Sequence, residues 1–220
     1  MPIPVPVLTI DGPSGAGKGT VSRLVAKKLG WHYLDSGSIY RSLAVAVQNA
    51  SIELSDISAV VEVAQSMALE FECGDDLVVR LNGENITGQL SLESTGGIAS
   101  VVAAYPEVRA VLLKKQQDFK QLPGLVADGR DMGTVVFPEA KNKVYLTASA
   151  EKRAERRYKQ LIEKEIDANI VQITSEIEAR DRRDMERETA PLAMAVDALY
   201  IDSSDLTIEQ VIEEVLNLIH

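Results

Sequence analysis

Hydrophobic and polar positions along this chain follow two periods in alternation. Val7-Leu8-Thr9-Ile10 is a short apolar run rich in β-branched residues, which predicts a buried strand. A glycine-rich stretch follows it. Val21, Leu24, Val25 and Leu29 then recur at helical spacing. Gly30 stands where a helix commonly closes on a left-handed glycine. Residues 31–34 predict a second strand, and residues 38–48 a helix carrying Leu43, Val45 and Val47. A further helix is predicted over 57–69.

The middle of the chain changes character. Residues 77–81 and 84–90 flank Asn82-Gly83, the dipeptide that supplies the positive φ angles of a type I′ turn. This predicts a β-hairpin inserted in an otherwise α/β chain. Helical patterning returns over 99–119. Leu125-Val126-Ala127 and Val144-Tyr145-Leu146 are further apolar runs, each followed by polar residues as at the C-terminal ends of parallel strands. Residues 151–164 and 173–187 predict highly charged helices, and 199–201 a fifth strand. Thr207 and Gln210 form a capping-box pattern. It opens a last helix with Ile208, Val211, Ile212, Val215, Leu216 and Ile219 on one face. Strands alternating with helices predict an α/β fold, a parallel sheet covered on both faces.

Composition narrows the function. The 220 residues include 23 Lys and Arg against 33 Asp and Glu, a net charge of -10. That balance argues against a general grip on nucleic acid, and it suggests a monomer. Cys73 is the only cysteine, so no intrachain disulfide can form. With His32 and His220 the only histidines, a multi-histidine zinc site is not expected, and neither they nor Cys73 has an assigned role. No run approaches the roughly 18 apolar residues of a membrane span. The N-terminal residues lack the basic and apolar regions of a signal peptide. A soluble cytoplasmic protein is the expectation.

Candidate chemistry begins at Gly12-Pro13-Ser14-Gly15-Ala16-Gly17-Lys18-Gly19-Thr20, between the first strand and first helix. The stretch matches G-x-x-x-x-G-K, with Gly19 in the usual Ser/Thr position and Thr20 next. Glycines let backbone N–H groups converge on phosphate oxygens, and the helix adds its positive end. Lys18 reaches the β- and γ-phosphates as a point charge. Asp128 follows an apolar run, where a P-loop protein places a carboxylate near Mg²⁺, here through water. An Asp-Gly turn would show the same residues.

Among P-loop proteins, a switch GTPase would carry N-K-x-D, and Asn142-Lys143-Val144-Tyr145 lacks the Asp. A small-molecule kinase needs a second, cationic site for an acceptor phosphate. Arg41, Arg109, Arg130 and Asp131 are candidates. Arg180, Arg183, Asp184 and Arg187 fall at i, i+3, i+4 and i+7 and so share one helix face. A solvated face laced with ion pairs has the same spacing. Arg153 and Arg157, one turn apart, could close over ATP, one stacking on adenine and one meeting phosphates, although an exposed helix laced with i, i+4 pairs has the same spacing.

Residues 10–20, Leu34-Asp35-Ser36-Gly37, Tyr40-Arg41, residues 127–138 and Arg180-Asp181-x-x-Asp184 together resemble the bacterial cytidylate kinase family. The match runs in order through nearly the whole chain. Residues 127–138 and the position of the three-stranded insertion are its most specific parts. The resemblance implies transfer of the γ-phosphoryl of ATP to CMP or dCMP with Mg²⁺. It also implies a three-part P-loop fold. A core at 1–35, 101–150 and 169–220 holds a five-stranded parallel sheet. A nucleoside monophosphate-binding insertion lies near 36–100, and a lid near 151–168. Ser36, Ser100, Arg109 and Asp131 would surround the cytosine. Arg180 and Asp184 would hold the ribose hydroxyls. Arg41, Arg130 and Arg187 would hold the CMP phosphate. Lys18, Arg130, Arg153, Arg157 and Arg183 would spread the charge of the transferring group. A P-loop kinase for UMP or another small acceptor is the alternative enzyme, and a GTP-binding switch the alternative of a different class.

Overall fold

The computed structural model describes residues 4–73, 77–163 and 165–219, with the side chains of Glu72, Cys73 and Glu93 left aside. His220 and position 164 of the expected lid lie outside the described residues. The chain divides into two compact units, residues 1–34 with 120–220, and residues 35–119. The second therefore runs past the boundary expected near residue 100.

The first unit is built on a five-stranded sheet. It comprises β1 (Val7–Asp11), β2 (His32–Asp35), β6 (Leu125–Gly129), β7 (Asn142–Thr147) and β8 (Leu199–Asp202). Their order is β2-β6-β1-β7-β8. β1 runs parallel to both β6 and β7, and β7 parallel to β8. All five residues of β1 and of β6 are buried. This burial is what continuous apolar runs in a parallel sheet predict. Helices α1 (Lys18–Leu29), α7 (Ala150–Ile162), α8 (Ile170–Glu186) and α9 (Ile208–Asn217) complete the unit. Gly30 closes α1 at φ 64°, and Thr207 with Gln210 forms the full capping box of α9.

Asp128 stands at the end of β6, where the apolar run before it placed it, and not in an Asp-Gly turn: Asp128 is registered against Ile10 and Gly129 against Asp11. The chain then enters a π-helical turn, Met132–Val136. The Asp131 carbonyl accepts from both Val135 N and Val136 N, at 2.9 and 3.1 Å. Such turns concentrate at functional sites.

The second unit contains α2 (Ser36–Asn49), α3 (Ile57–Ser66), β3 (Leu69–Cys73), β4 (Leu77–Leu81), β5 (Glu84–Asn85), α4 (Thr87–Leu90), α5 (Glu93–Val102) and α6 (Pro106–Gln117). The strands form an antiparallel sheet, β3-β4-β5. Asn82 and Gly83 take φ 51° and 85°, as the turn requires. Three expectations are corrected here. The helix over 57–69 stops at Ser66, and Leu69, Phe71 and Cys73 alternate with glutamates in a strand. That is a period of two, not 3.6. The hairpin's second arm is only two residues long. Past one last backbone bond from Ile86 N to Val79 O, side chains take over: Asn85 Oδ1 accepts from Thr87 N and Thr87 Oγ1 from Val79 N, both at 3.0 Å. The helix over 99–119 is two helices, broken at Tyr105-Pro106. The residue before proline is pushed to extended backbone, and Pro106 opens α6.

Candidate active site

In the first unit the phosphate loop lies between β1 and α1. Gly12 takes φ 150°, and a Cβ there would meet Leu146 O at 1.9 Å, so no side chain fits. Gly15 and Gly17 take φ 78° and 92°. Gly17 caps α1 with no side-chain hydrogen bond to the first turn. The first amides of α1 thus lack a side-chain acceptor at the end that favours anions. Lys18 is buried, and its Nζ donates to Pro13 O at 2.9 Å.

The loop is braced from behind. Arg153 on α7 donates from Nη1 to Ser14 O at 3.0 Å, and from Nε to Ala148 O at 2.9 Å. Its Nη2 meets Asp181 Oδ2 on α8 at 2.5 Å. Arg180 Nη1 reaches Ser14 Oγ at 3.3 Å. Ser203, buried just past β8, donates to Ala16 O at 3.3 Å and Thr147 O at 2.9 Å, and accepts from Arg156 Nη1 at 3.2 Å. This corrects the expectation for Arg153. At 4% exposure, with its nitrogens committed to the loop, an adjoining carbonyl and a carboxylate, it offers no face to adenine. Its place makes it a brace. Arg157 is half-buried one turn further along α7.

Asp128 lies at the same end of the sheet as the loop. Its Oδ2 accepts from Tyr33 Oη at 2.8 Å. A Cβ at Gly19 would lie 3.7 Å from Asp128 Oδ2. The start of α1 therefore lies beside this carboxylate. Among the described residues no three carboxylate, imidazole or thiol groups gather to hold a metal. One carboxylate combined with phosphate oxygens and water is a donor set that suits Mg²⁺.

The segment after β6 meets α8. Arg130 Nε pairs with Asp184 Oδ2 at 2.7 Å, and Arg187 Nη2 lies 3.7 Å from Asp131 Oδ1. Arg187 Nε also donates to Ala190 O at 2.6 Å. Burial raises the Asp184 pKa, but Arg130, then Arg180 and Arg187, outweigh it and hold the carboxyl below its usual range. Arg130, Asp131, Arg180, Asp184 and Arg187 are therefore one cluster, of which helical spacing had placed Arg180, Asp184 and Arg187 on one face. Arg183 is not part of it: it is exposed on α8, at the edge of the face that its neighbours bury. Asp181, absent from the expectation, is buried there instead.

Asp11 was also missed. It ends β1, is buried, and accepts from Met132 N at 2.8 Å and Gly133 N at 2.7 Å. Burial pushes its carboxyl up to about 6; the two amides and Lys18 pull it down, while Asp131 pushes it up. An acid ending an apolar strand just before a glycine loop was the available signal.

The second unit presents two clusters on α2. Ser36 Oγ donates to Gln116 Oε1 at 2.7 Å, and Arg109 lies 5.6 Å above the Tyr40 ring. Arg109 also donates to Ala103 O at 3.2 Å. One residue along, Arg41 Nη1 donates to Leu90 O at 2.6 Å. A Cβ on Gly96 would lie 2.8 Å from Arg41 Nη2. Ser100 Oγ donates to Gly96 O at 3.1 Å. Asp35 caps the start of α2 by accepting from Ser38 N at 3.0 Å.

A family model described as cytidylate kinase matches residues 8–220. Among curated proteins, the cytidylate kinase of Methylococcus capsulatus is 54% identical over 215 residues, covering 98% of this chain and 97% of that one. Among solved structures, a shikimate kinase from Bacteroides thetaiotaomicron aligns with TM-score 0.48 at 13% identity over 97% of this chain and 98% of that one. A shikimate kinase from Acinetobacter baumannii, solved in complex with shikimate, aligns with TM-score 0.46 at 18% identity over 98% and 93%.

Proposed function

The chain belongs to the cytidylate kinase family, and from that membership and the geometry above we propose that it transfers the γ-phosphoryl of ATP to CMP or dCMP. The observation that carries the reading is the buried Asp131 carboxylate, 3.7 Å from Arg187 and next in the chain to Arg130, which pairs with Asp184, one strand away from the phosphate loop. Cytosine presents an N4 donor to an acceptor, whereas uracil presents an oxygen that a carboxylate repels.

The attacking atom is an oxygen of the acceptor's phosphate, which forms a bond to the γ-phosphorus as the bond to the β-bridging oxygen breaks. No strong general base is needed, so catalysis is positioning and charge neutralisation. Loop amides and Lys18 take the triphosphate. Mg²⁺, held through water by Asp128, would neutralise charge developing on phosphate oxygens. In the first unit, Arg130 and Arg187 would meet the acceptor phosphate, and Arg180 and Asp184 the ribose. In the second, Arg41 would meet the phosphate, and Ser36, Ser100 and Arg109 the base. Closure of the lid near 151–168 would fall to the half from Arg157 onward, since Arg153 and Ala154 are buried. Nucleotide substrates and the acidic charge balance support a soluble, cytoplasmic monomer that takes no nucleic acid.

Coupled ADP release measured with CMP, dCMP, UMP, AMP, GMP and TMP tests the assignment. CMP or dCMP is expected to give the highest kcat/KM, and a different leader would overturn it. Asp131→Ala is expected to cut kcat/KM for CMP ~10- to 100-fold more than for UMP, the value of one base-edge contact. Equal losses would remove Asp131 from base recognition. Gly96→Ala must push the Arg41 guanidinium aside. It is expected to raise KM for CMP ~10-fold or more, the worth of a hydrogen bond to a charged group. An unchanged KM for CMP would take Arg41 off the acceptor phosphate.

A further inference from the structure

Asp11 immediately precedes the phosphate loop, yet its two carboxylate oxygens accept from amides outside the loop. It crosses to the segment that continues β6. There its two oxygens take the Met132 and Gly133 amides, at 2.8 and 2.7 Å. These are the two residues directly after Asp131. The seat is tight on the Gly133 side as well: a Cβ there would lie 2.9 Å from Thr9 Oγ1, 3.2 Å from Lys143 Cδ and 3.4 Å from Asp11 Oδ2. Asp131 is thus fixed from both directions, by its own carbonyl in the π turn and by the clamped amides that follow.

A carboxyl at 4% exposure is a costly way to satisfy two amides. It also lies within the field of Asp131, which repels it, and of Lys18, which attracts it. A merely structural acceptor at this point need carry no charge.

We propose that Asp11 is a positioning residue for the acceptor: by clamping the Met132 and Gly133 amides it sets the direction of the Asp131 carboxylate, and so base selectivity depends on the strand that bears the phosphate loop. The proposal deepens, and rests on, the reading that Asp131 meets the acceptor base. Asp11→Asn keeps the shape but turns an N–H₂ toward one of the two amides, donor against donor.

The test is steady-state kinetics of the full chain with CMP, UMP and ATP. Asp11→Asn is expected to raise KM for CMP ~10-fold or more and to move the CMP to UMP ratio of kcat/KM toward one, since small misplacements near a substrate cost up to about 10²-fold. KM for ATP is expected to stay within about twofold, a split that separates acceptor positioning from loop support. Gly133→Ala leaves the carboxylate intact but crowds Thr9, and is expected to give the same pattern. An unchanged base ratio in either folded variant overturns the proposal. So does a rise in KM for ATP equal to that for CMP, which would assign Asp11 to the loop. Should neither variant fold, hydrogen exchange at Met132 and Gly133 in the unaltered protein decides. CMP is expected to slow both amides more than UMP does, and equal protection sinks the idea. Asp131→Ala separates the two levels. Equal losses for CMP and UMP there remove the base reading itself, whereas a CMP-selective loss there alone removes only the role of Asp11.

Discussion

Lys18→Ala is expected to lower kcat by at least about 10²-fold, the cost of losing one preorganised electrostatic donor at a reacting centre. The side chain is held by its own loop, buried at 7% exposure with Nζ on the Pro13 carbonyl. Such a cation needs no reorganisation to meet charge that develops on a phosphate. The binding amides of the loop are untouched by the substitution, so affinity for ATP should fall far less than turnover. Lys18→Arg should not rescue it, because a planar guanidinium on a different stem cannot occupy a point-charge position. Turnover by Lys18→Ala within about threefold of the unaltered enzyme, with the fold intact by circular dichroism, would remove the lysine from the mechanism.

The phosphate loop was legible because its geometry demands particular residues. Only glycine fits at position 12 against Leu146 O, and the positive φ of Gly15 and Gly17 narrows the choice again. The parallel sheet was legible for a similar reason, since strands buried on both faces read as unbroken apolar runs. The α8 cluster was legible in part. Helical spacing placed Arg180, Asp184 and Arg187 together, but spacing does not say which edge of a charged face turns inward. Arg183 and Asp181 therefore exchanged places. Roles that depend on tertiary approach carried no local signal. Nothing near Arg153 announces that Asp181, 28 residues on, will hold it beneath Ser14. Nor does the sequence around Met132 show that its amide ends on a carboxylate from the first strand.

Asp181→Ala should be among the most destabilising single changes in the chain. Asp181 and Arg153 are paired at 2.5 Å with side-chain exposures of 12% and 5%. Removing one partner of a buried pair strands the other, at a cost of about 3–5 kcal/mol. For a chain of this size that is a fall in Tm of ~6–20 °C. The pair also has a second task, because the same guanidinium donates to Ser14 O in the phosphate loop. Stability and catalysis can therefore be separated. Replacing both partners by apolar residues, Arg153→Met with Asp181→Leu, leaves no stranded charge, and such swaps are often neutral or stabilising. The double variant is expected to recover most of the lost Tm. It should still show kcat reduced ~10-fold or more, since Ser14 O has lost its donor and the loop its brace. A double-mutant cycle by thermal melting, with kcat measured on the same four proteins, tests both halves. Additive losses in Tm would mean that the two side chains are not coupled. Recovery of kcat together with Tm would mean that Arg153 only fills space behind the loop and does not set where its amides point.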